Sequence, residues 1–204
     1  MAPKYKLSYF PIMGLAEPIR FLLSYGKIEF EDERFESDQW ASVKPSTPFG
    51  QAPVLEIDGK KTWQSVAICR YLGKLVGLAG ANDWENLQID MAVDTISDIR
   101  SKIASYGYEA DPALKEKKKA AVVNEALPFL LTRLDKLVKD NGGYLANGKL
   151  SWADLYFVGI LGYTNYVSGL DLTKDYSNLS ALKNKVLEIP AIKEWVAKRP
   201  KTER

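Results

Sequence analysis

The chain has 204 residues, of which 46% are hydrophobic and 26% charged, values typical of a soluble globular protein with one large or two small domains. Its net charge of +2 gives no bias toward nucleic acid, and no apolar run approaches the ~20 residues that span a bilayer, so we expect neither a nucleic-acid nor a membrane partner. The start MAPKYKLSYF lacks a signal-peptide core and Cys69 is the single cysteine, which together predict a cytoplasmic protein. The absence of histidine excludes histidine catalysis and the usual histidine-containing zinc sites.

The first half of the chain has the pattern of a small mixed α/β unit. Two strand-like segments on either side of a helix allow a right-handed crossover. Asp58-Gly59 between two short strand-like runs is a strong hairpin signal. The predicted elements are a strand at 4–10, a helix at 15–25 with Gly26 at its C′ position, a strand at 28–35, a Pro-rich loop at 40–50, strands at 54–57 and 61–63, and a helix at 65–76.

From Trp84 onward the pattern is helical throughout. Pro128 cannot donate an in-helix hydrogen bond and therefore predicts a bend in the longest helix. The predicted helices span 85–104, 113–139, 152–167, 179–187 and 191–198. The GLAGAND stretch at 77–83 separates the two patterns, which predicts an N-terminal domain of residues 1–79 and an all-helical domain of residues 84–204.

Gln64 and Ser65 lie where the last strand leads into a helix. Ser65 could be a simple N-cap, whose side chain accepts a backbone hydrogen bond. It could also belong to an anion site, because a helix N-terminus presents unpaired N–H groups and a partial positive charge. The residues alone leave both interpretations open.

Two further positions have a structural and a functional interpretation. Tyr9 ends the first strand, either as an ordinary strand tyrosine or as a hydroxyl donor to an anion near the helix at 15–25. The Ala52-Pro53 bond is either a trans bond opening a strand or a cis bond that frees neighbouring backbone groups for an extended peptide ligand.

Acidic residues mark two helices of the second half. Asp90, Asp94 and Asp98 share one helical face, which favours a solvated surface with Lys102 beside Asp98, or an acidic groove for a cationic group. In the other helix, LSWADL at 150–155 predicts a capping box between Ser151 and Asp154.

Seven stretches from one end of the chain to the other resemble the sigma class of cytosolic glutathione transferases. They are YKLSYF, AEPIRF, DQWASVKPSTPFGQAPVLEIDG, QSVAICRYL, VDTISD, LSWADLYF and IPAIKEWVAKRP. The class includes arthropod detoxification enzymes, cockroach allergen-type transferases and hematopoietic prostaglandin D synthase. The resemblance implies a thioredoxin-like α/β N-terminal domain, an all-α C-terminal domain, a homodimer, and glutathione as co-substrate.

The resemblance also implies a site. Tyr9 matches the catalytic tyrosine that hydrogen-bonds the glutathione sulfur. The other implied contacts are Trp40 and Lys44 for the glycyl end, Gln51, Ala52 and the cis-proline Pro53 for the cysteinyl unit, Gln64 and Ser65 for the γ-glutamyl carboxylate, and Asp98 of the partner subunit for the γ-glutamyl amine. The electrophile pocket is expected to be lined by Phe10, Met13, Leu15, Arg100, Ile103 and Tyr156.

Two positions depart from the family pattern. Leu15 stands where several sigma members carry arginine, so extra cationic activation of the thiolate is not implied. Ser97 stands where the vertebrate prostaglandin synthase has an acidic residue, so no metal is implied.

The function that the resemblance implies is conjugation of the glutathione thiolate to hydrophobic electrophiles, with lipid hydroperoxides or alkenals among the substrates. Two alternatives stay open: glutathione-dependent isomerisation of prostaglandin H to D, and a non-catalytic, crystallin-like role. The presence of Tyr9, Gln64 and Ser65, without a long insertion between the first two C-terminal helices, argues against the crystallin-like role.

Overall fold

The computed structural model describes residues 3–202. The first part of the chain contains a four-stranded mixed sheet. The strands are Tyr5–Tyr9 (β1), Phe30–Arg34 (β2), Val54–Ile57 (β3) and Lys60–Thr62 (β4). They lie in the order β2-β1-β3-β4, so β2 is an edge strand. β1 runs parallel to β2 and antiparallel to β3, and β4 returns antiparallel to β3. The predicted hairpin is confirmed: Asp58 and Gly59 both have positive φ, at 49° and 79°, as a tight hairpin turn needs.

Nine α-helices lie within the part of the chain that the structure describes. They are Glu17–Tyr25 (α1), Trp40–Val43 (α2), Ser65–Leu75 (α3), Asp83–Gly107 (α4), Pro112–Ala121 (α5), Leu127–Asp140 (α6), Trp152–Ser168 (α7), Ser177–Leu187 (α8) and Pro190–Lys198 (α9). The segment expected as a Pro-rich loop contains α2 and the 3₁₀ turn Lys44–Ser46, and a second 3₁₀ turn, Ser37–Gln39, directly precedes it. None of these helices combines the length and the apolar composition needed to cross a membrane. The linker between α3 and α4 contains the predicted domain boundary, which stays a prediction.

The predicted bend near Pro128 takes the form of a π-helical turn. Val122–Ala126 joins α5 to α6 with this wider winding, and Pro128 follows as the second residue of α6. Because proline has no N–H to donate to the preceding turn, the helical ladder is interrupted at this point. The wider turn accommodates that interruption and lets the apolar face of α6, including Leu131 and Leu134, turn toward the core.

The core of the molecule is built around α7, which is buried along almost its whole length. Its contact with α1 is close at Gly159, where an added Cβ would lie 2.8 Å from the Cα of Pro18. Its first residue, Trp152, packs against Gly73 of α3, where an added Cβ would lie 2.6 Å from the indole ring. Helix α7 therefore joins the second half of the chain to the helices that cover the sheet.

The N-terminus of α7 is fixed by the predicted capping box. One carboxylate oxygen of the wholly buried Asp154 accepts the backbone N–H of Ser151 at 2.7 Å and its hydroxyl at 3.1 Å. The other oxygen accepts the backbone N–H of Leu145 at 2.9 Å. The motif prediction is confirmed, and the contact with Leu145 also ties the preceding loop to the helix.

The expected role of Gly26 as the left-handed residue after α1 is wrong. Gly26 has φ of −73°, and the left-handed conformation falls on Lys27, at 51°. Glycine is required at position 26 for space, because an added Cβ would lie 2.4 Å from Cγ1 of Val76. The residue type indicated a special position, but the reason is packing rather than backbone conformation.

Candidate active site

Tyr9 is the last residue of β1, and its side chain is buried beneath the turn that begins the next helix. The backbone N–H of Leu15 donates a hydrogen bond of 3.2 Å to its hydroxyl oxygen. Gly14 makes this approach feasible, because it has φ of 45° and an added Cβ would lie 2.7 Å from the hydroxyl oxygen. Since the hydroxyl oxygen accepts from the backbone, its own proton remains available for a second partner.

The hydroxyl of Tyr9 is held in its protonated form. Burial raises its pKa above the ordinary value of 10.0, and the hydrogen bond from Leu15 and the positive charges of Arg20 and Arg100 oppose that rise only partly. At neutral pH the side chain is therefore a hydrogen-bond donor and not a phenolate. A donor placed here stabilises an anion beside it without itself exchanging a proton.

A cavity of about 400 Å³ lies next to this turn. Six of the residues expected to contact glutathione line it: Trp40, Gln51, Ala52, Pro53, Gln64 and Ser65. Phe10 and Leu15, expected at the electrophile pocket, also line it, together with Gly50. Residues that are up to 55 positions apart in the sequence are thus brought to one concave surface.

The polar end of the cavity is the N-terminus of α3. Helix α3 begins at Ser65, and Gln64 is the N-cap residue, with φ of 69°. Positive φ is uncommon for a residue other than glycine, and its occurrence here directs the side chain of Gln64 toward Gln51, with 3.4 Å between the two amide groups. The N–H groups of the first turn have no acceptor within their own helix and can bind an anion.

This geometry corrects one interpretation of Ser65. As the first helical residue it is not the N-cap, and no side chain within residues 3–202 caps α3. The hydroxyl is half-exposed and lies at the cavity. The simple capping role is therefore excluded, and the hydroxyl is free of that constraint.

The opposite wall of the cavity is aromatic. Phe10 packs against Trp40 with 5.4 Å between ring centroids, and Trp40 stacks on the buried Phe35 at 5.7 Å. Lys44 lies beside this wall, and its side chain packs across Gly50, which has φ of 63°. An added Cβ on Gly50 would lie 3.1 Å from Cε of Lys44. The Ala52-Pro53 peptide bond, which forms the floor between the two walls, is cis.

The three aspartates of α4 have different surroundings. Asp90 forms an ion pair with Arg70 at 2.9 Å, and the Arg70 guanidinium lies over the Trp152 ring. Asp94 and Asp98 are exposed, and no ion pair within the described part of the chain joins Asp98 to Lys102 as expected. Asp98 does not line the cavity of its own chain.

The expected electrophile residues divide into two groups. Phe10 and Leu15 line the cavity, and Met13 lies just beyond them, where an added Cβ on Gly162 of α7 would meet its methyl group at 2.7 Å. Ile103 and Tyr156 are only 0% and 1% exposed, so their expected place on the pocket wall has to be corrected. Both belong to the core, because α4 and α7 pack face to face there and the Tyr156 hydroxyl is within 3.2 Å of the Ser97 hydroxyl.

Two tyrosines that the sequence did not single out lie near Tyr9. The hydroxyls of Tyr108 and Tyr163 are 3.0 Å apart, and both side chains are close enough to Tyr9 to act on its ionisation, as is Arg100. Burial and the neighbouring Tyr108 hydroxyl raise the pKa of Tyr163, so the Tyr163 hydroxyl is neutral at physiological pH. Tyr108 is 69% exposed and stands at the open side of the region.

Across residues 3–202, no group of three or more His, Cys, Asp or Glu side chains is close enough together to hold a metal ion. The chemical groups at this site are hydroxyls, backbone N–H groups and aromatic surfaces.

Comparison with known proteins gives matches for both halves of the chain. Residues 5–74 match the family described as the glutathione S-transferase N-terminal domain, and residues 97–199 match the glutathione S-transferase C-terminal domain. A glutathione S-transferase of Anopheles gambiae is 52% identical over 201 residues, covering 98% of this chain and 99% of that protein. The hematopoietic prostaglandin D synthase of Rattus norvegicus is 41% identical over 200 residues, 98% of each chain.

A solved structure gives the same result. The prostaglandin synthase D of Nilaparvata lugens superimposes with a TM-score of 0.94 at 49% identity, covering 98% of this chain and 100% of that one. The predicted fold class, a thioredoxin-like domain followed by an all-helical domain, is therefore confirmed. With both domain families matched in order and full-length relatives at this level of identity, the chain belongs to the glutathione S-transferase family.

Proposed function

We propose that this protein transfers the thiolate of glutathione to hydrophobic electrophiles, with Tyr9 as the catalytic residue. The observation that carries the proposal is the hydroxyl of Tyr9, neutral and with a free proton, beside a cavity whose lining includes six of the expected glutathione contacts. Family membership supports glutathione as the co-substrate.

The chemical step follows from the ionisation of sulfur. A thiol with a pKa near ~8.5 is mostly protonated at neutral pH, whereas the thiolate is the nucleophile. The Tyr9 O–H donates to the sulfur and favours the anion, and the thiol proton passes to solvent. The thiolate electron pair then forms the carbon–sulfur bond as the electrophile loses its leaving group or accepts the pair into a conjugated carbonyl system. No histidine is needed, because the substrate brings its own nucleophile.

The cavity has complementary surfaces for the three parts of glutathione. The γ-glutamyl carboxylate is proposed to bind Gln64, Ser65 and the free N–H groups of α3, which provide hydrogen bonds and the positive end of the helix dipole. The glycyl end is proposed to meet Trp40 and Lys44. The cysteinyl unit then extends along Gln51–Pro53 and directs its sulfur toward Tyr9.

For the electrophile we propose the region bounded by Phe10, Met13 and Leu15, with Arg100 and the Tyr108–Tyr163 pair on its polar side. An apolar floor favours hydrophobic substrates. Tyrosine hydroxyls can donate to a carbonyl or peroxide oxygen, and this supports alkenals and lipid hydroperoxides as substrate classes. Leu15 contributes no charge, so the thiolate is stabilised without a cation at that position.

Isomerisation of prostaglandin H to D is the second candidate. Its support is the similarity to two proteins named as prostaglandin D synthases, at 41% and 49% identity over nearly the whole chain. The proposed site suits both reactions, because each begins with a glutathione thiolate. The test is a panel assay of aryl halides, alkenals, hydroperoxides and prostaglandin H with glutathione. Turnover of the first three classes supports the transferase, and turnover of prostaglandin H alone would replace it with the isomerase.

We further propose that the protein is a sigma-class, cytoplasmic homodimer whose site is completed by Asp98 of the partner subunit. The chain exposes apolar side chains that a second copy could cover, among them Phe49 paired with Trp63 and the groove of about 550 Å³ that includes Met91 and Leu137. Asp98 lies on the exposed face of α4 without a partner in its own described chain.

Asp98→Asn is expected to weaken glutathione binding about tenfold while leaving the melting temperature unchanged, because one charge-assisted contact to the ligand amine is lost. Titration calorimetry measures the affinity, and sedimentation measures the mass. Asp94→Asn, one turn earlier on the same exposed face, is the matched control and should bind like the parent. A fully active monomer, or equal losses in both variants, would contradict the shared site.

Ser65→Ala is expected to lower glutathione affinity tenfold or more, since a hydrogen bond to a charged group is worth about 1.5–3 kcal/mol and ~1.4 kcal/mol is tenfold. The melting temperature should not fall, because Ser65 is the first residue of the helix and not its cap, and alanine has the higher helix propensity. Calorimetry and thermal unfolding separate the two effects. Unchanged affinity in Ser65→Ala would remove this hydroxyl from the ligand site.

A further inference from the structure

A buried network of charged side chains lies directly beneath the segment that connects Tyr9 to α1. Arg20 is 0% exposed and Glu17 1% exposed, and both belong to the first turns of α1. The Arg20 guanidinium donates to the Glu17 carboxylate at 3.1 Å and to Asp32 of β2 at 2.9 Å. Placing such charges in the interior is costly, and apolar residues of similar volume often stabilise a fold as well or better. Fold stability alone therefore explains this network poorly.

The same guanidinium also fixes the backbone that follows Tyr9. Its Nη1 atom donates to the carbonyl oxygen of Ile12 at 2.9 Å and reaches that of Met13 at 3.4 Å. The next two residues are Gly14, which packs on the Tyr9 hydroxyl, and Leu15, whose N–H donates to it. Directional hydrogen bonds to two successive carbonyls set the path of this segment in a way that an apolar side chain cannot.

The other oxygen of Glu17 connects the network to the far end of the chain. It accepts the indole N–H of Trp195 at 2.8 Å and a guanidinium N–H of Arg199. Trp195 lies in α9, and Arg199 follows directly after that helix. The Glu17–Arg199 contact thus joins residues separated by 182 positions, and Glu17 accepts from the same Nη1 atom of Arg20 that donates to the two carbonyls.

We propose that Arg20 is a positioning residue for Tyr9, and that Glu17 holds it in place, with Arg199 at the end of α9 fixing Glu17 in turn. The inference rests on the proposed function, in which Tyr9 donates to the glutathione sulfur. When Arg20 is held, the carbonyls of Ile12 and Met13 are fixed, and the Leu15 N–H meets the Tyr9 oxygen. When these contacts of Arg20 are lost, the segment 10–15 relaxes and the Tyr9 hydroxyl loses its fixed direction.

The main test uses Arg199, because its side chain lies at the partly exposed end of the network and its replacement is compatible with folding. Arg199→Gln is expected to lower kcat about three- to tenfold with the KM for glutathione within about twofold, because misplacement affects the reacting geometry more than binding. The pKa of bound glutathione, followed by thiolate absorbance, should rise. Arg199→Lys, which keeps a charged donor for Glu17, should restore both values.

Lys198→Gln is the matched control, since Lys198 is the neighbouring residue and pairs with the exposed Glu194. It should behave like the parent in kcat, thiol pKa and hydrogen exchange. Arg20→Lys tests the centre of the network if it folds: one ammonium group cannot reproduce the fork of donors, so kcat should fall at least as far as in Arg199→Gln.

Hydrogen exchange of the peptide that covers residues 10–16 gives a readout that does not depend on activity. Faster exchange in Arg199→Gln, together with lower kcat and a raised thiol pKa, supports the proposal. Unchanged exchange would show that Arg199 does not help to hold the 10–16 segment and overturns the proposal. Faster exchange with unchanged kcat and thiol pKa would overturn the link between this segment and Tyr9. A parent protein that exchanges slowly at 10–16 but shows no conjugation would instead refute the proposed function.

Discussion

Replacing Tyr9 by phenylalanine is expected to lower the conjugation rate at neutral pH about 10- to 100-fold. The lost contact is a hydrogen bond to a charged sulfur, worth about 1.5–3 kcal/mol. At 1.36 kcal/mol per pKa unit, the thiol pKa should rise by about 1–2 units and the thiolate fraction should fall correspondingly. Steady-state kinetics with chlorodinitrobenzene across pH 6 to 9 measures the effect. The loss should shrink at high pH, where the thiol ionises without help.

Glutathione affinity should change little in Tyr9→Phe, since the contacts at Trp40, Gln64 and Ser65 remain. Tyr25→Phe is a suitable control, because Tyr25 lies at the far end of α1. A variant that keeps the parent rate at pH 7 would remove Tyr9 from the mechanism. Equal losses at all pH values would point to misfolding or displaced substrate instead of thiol ionisation.

Asp154→Ala is expected to lower the free energy of unfolding by about 3–5 kcal/mol, the largest stability effect among these variants. The substitution leaves the buried N–H groups of Leu145 and Ser151 without acceptors and removes the cap of the central helix α7. In a chain of this length the melting temperature should fall by about 10 °C. Denaturant unfolding at constant glutathione concentration measures the change.

Asp111→Ala is the control for this prediction. Asp111 also accepts two backbone N–H groups at a helix start, those of Ala113 and Leu114, but it is exposed. Water can replace those contacts, so the expected cost is about 1 kcal/mol. If Asp154→Ala were no more harmful than Asp111→Ala, the buried capping box would not be the main constraint on α7.

Local patterns were the most reliable guide to the fold. The Asp58-Gly59 hairpin and the Ser151–Asp154 capping box depend on residues only a few positions apart, and both are confirmed. The bend before Pro128 is confirmed for the same reason, since a missing N–H acts on the preceding turn. The helical second half follows from periodicity, because α4, α6, α8 and α9 bury one face and α7 buries nearly all faces.

Backbone conformation and side-chain packing were harder to predict from the sequence. The left-handed conformation falls on Lys27 rather than Gly26, and the N-cap of α3 is Gln64 rather than Ser65. Neither side chain indicates positive φ by its residue type. The resemblance placed Ile103 and Tyr156 in the electrophile pocket, yet the packing of α4 against α7 buries both side chains.

The site itself combines local and distant contributions. Strand and helix ends singled out Tyr9, Gln64 and Ser65, but their expected roles came from the family resemblance. The Tyr108–Tyr163 pair joins hydroxyls 55 residues apart, and the contact of Glu17 with Arg199 spans 182 residues. Such contacts depend on the tertiary arrangement of α1, α4, α7 and α9 and have no sequence signature of their own.

If Tyr9 ionises the glutathione thiol at this site, the pKa of bound glutathione must depend on its hydroxyl. Thiolate absorbance is followed against pH for glutathione bound to the parent and to Tyr9→Phe, at saturating ligand. We expect a pKa in the parent at least about one unit below the ~8.5 of a free thiol, and a return toward that value in the variant. A parent value equal to that of free glutathione, or the same depressed value in both proteins, would contradict it.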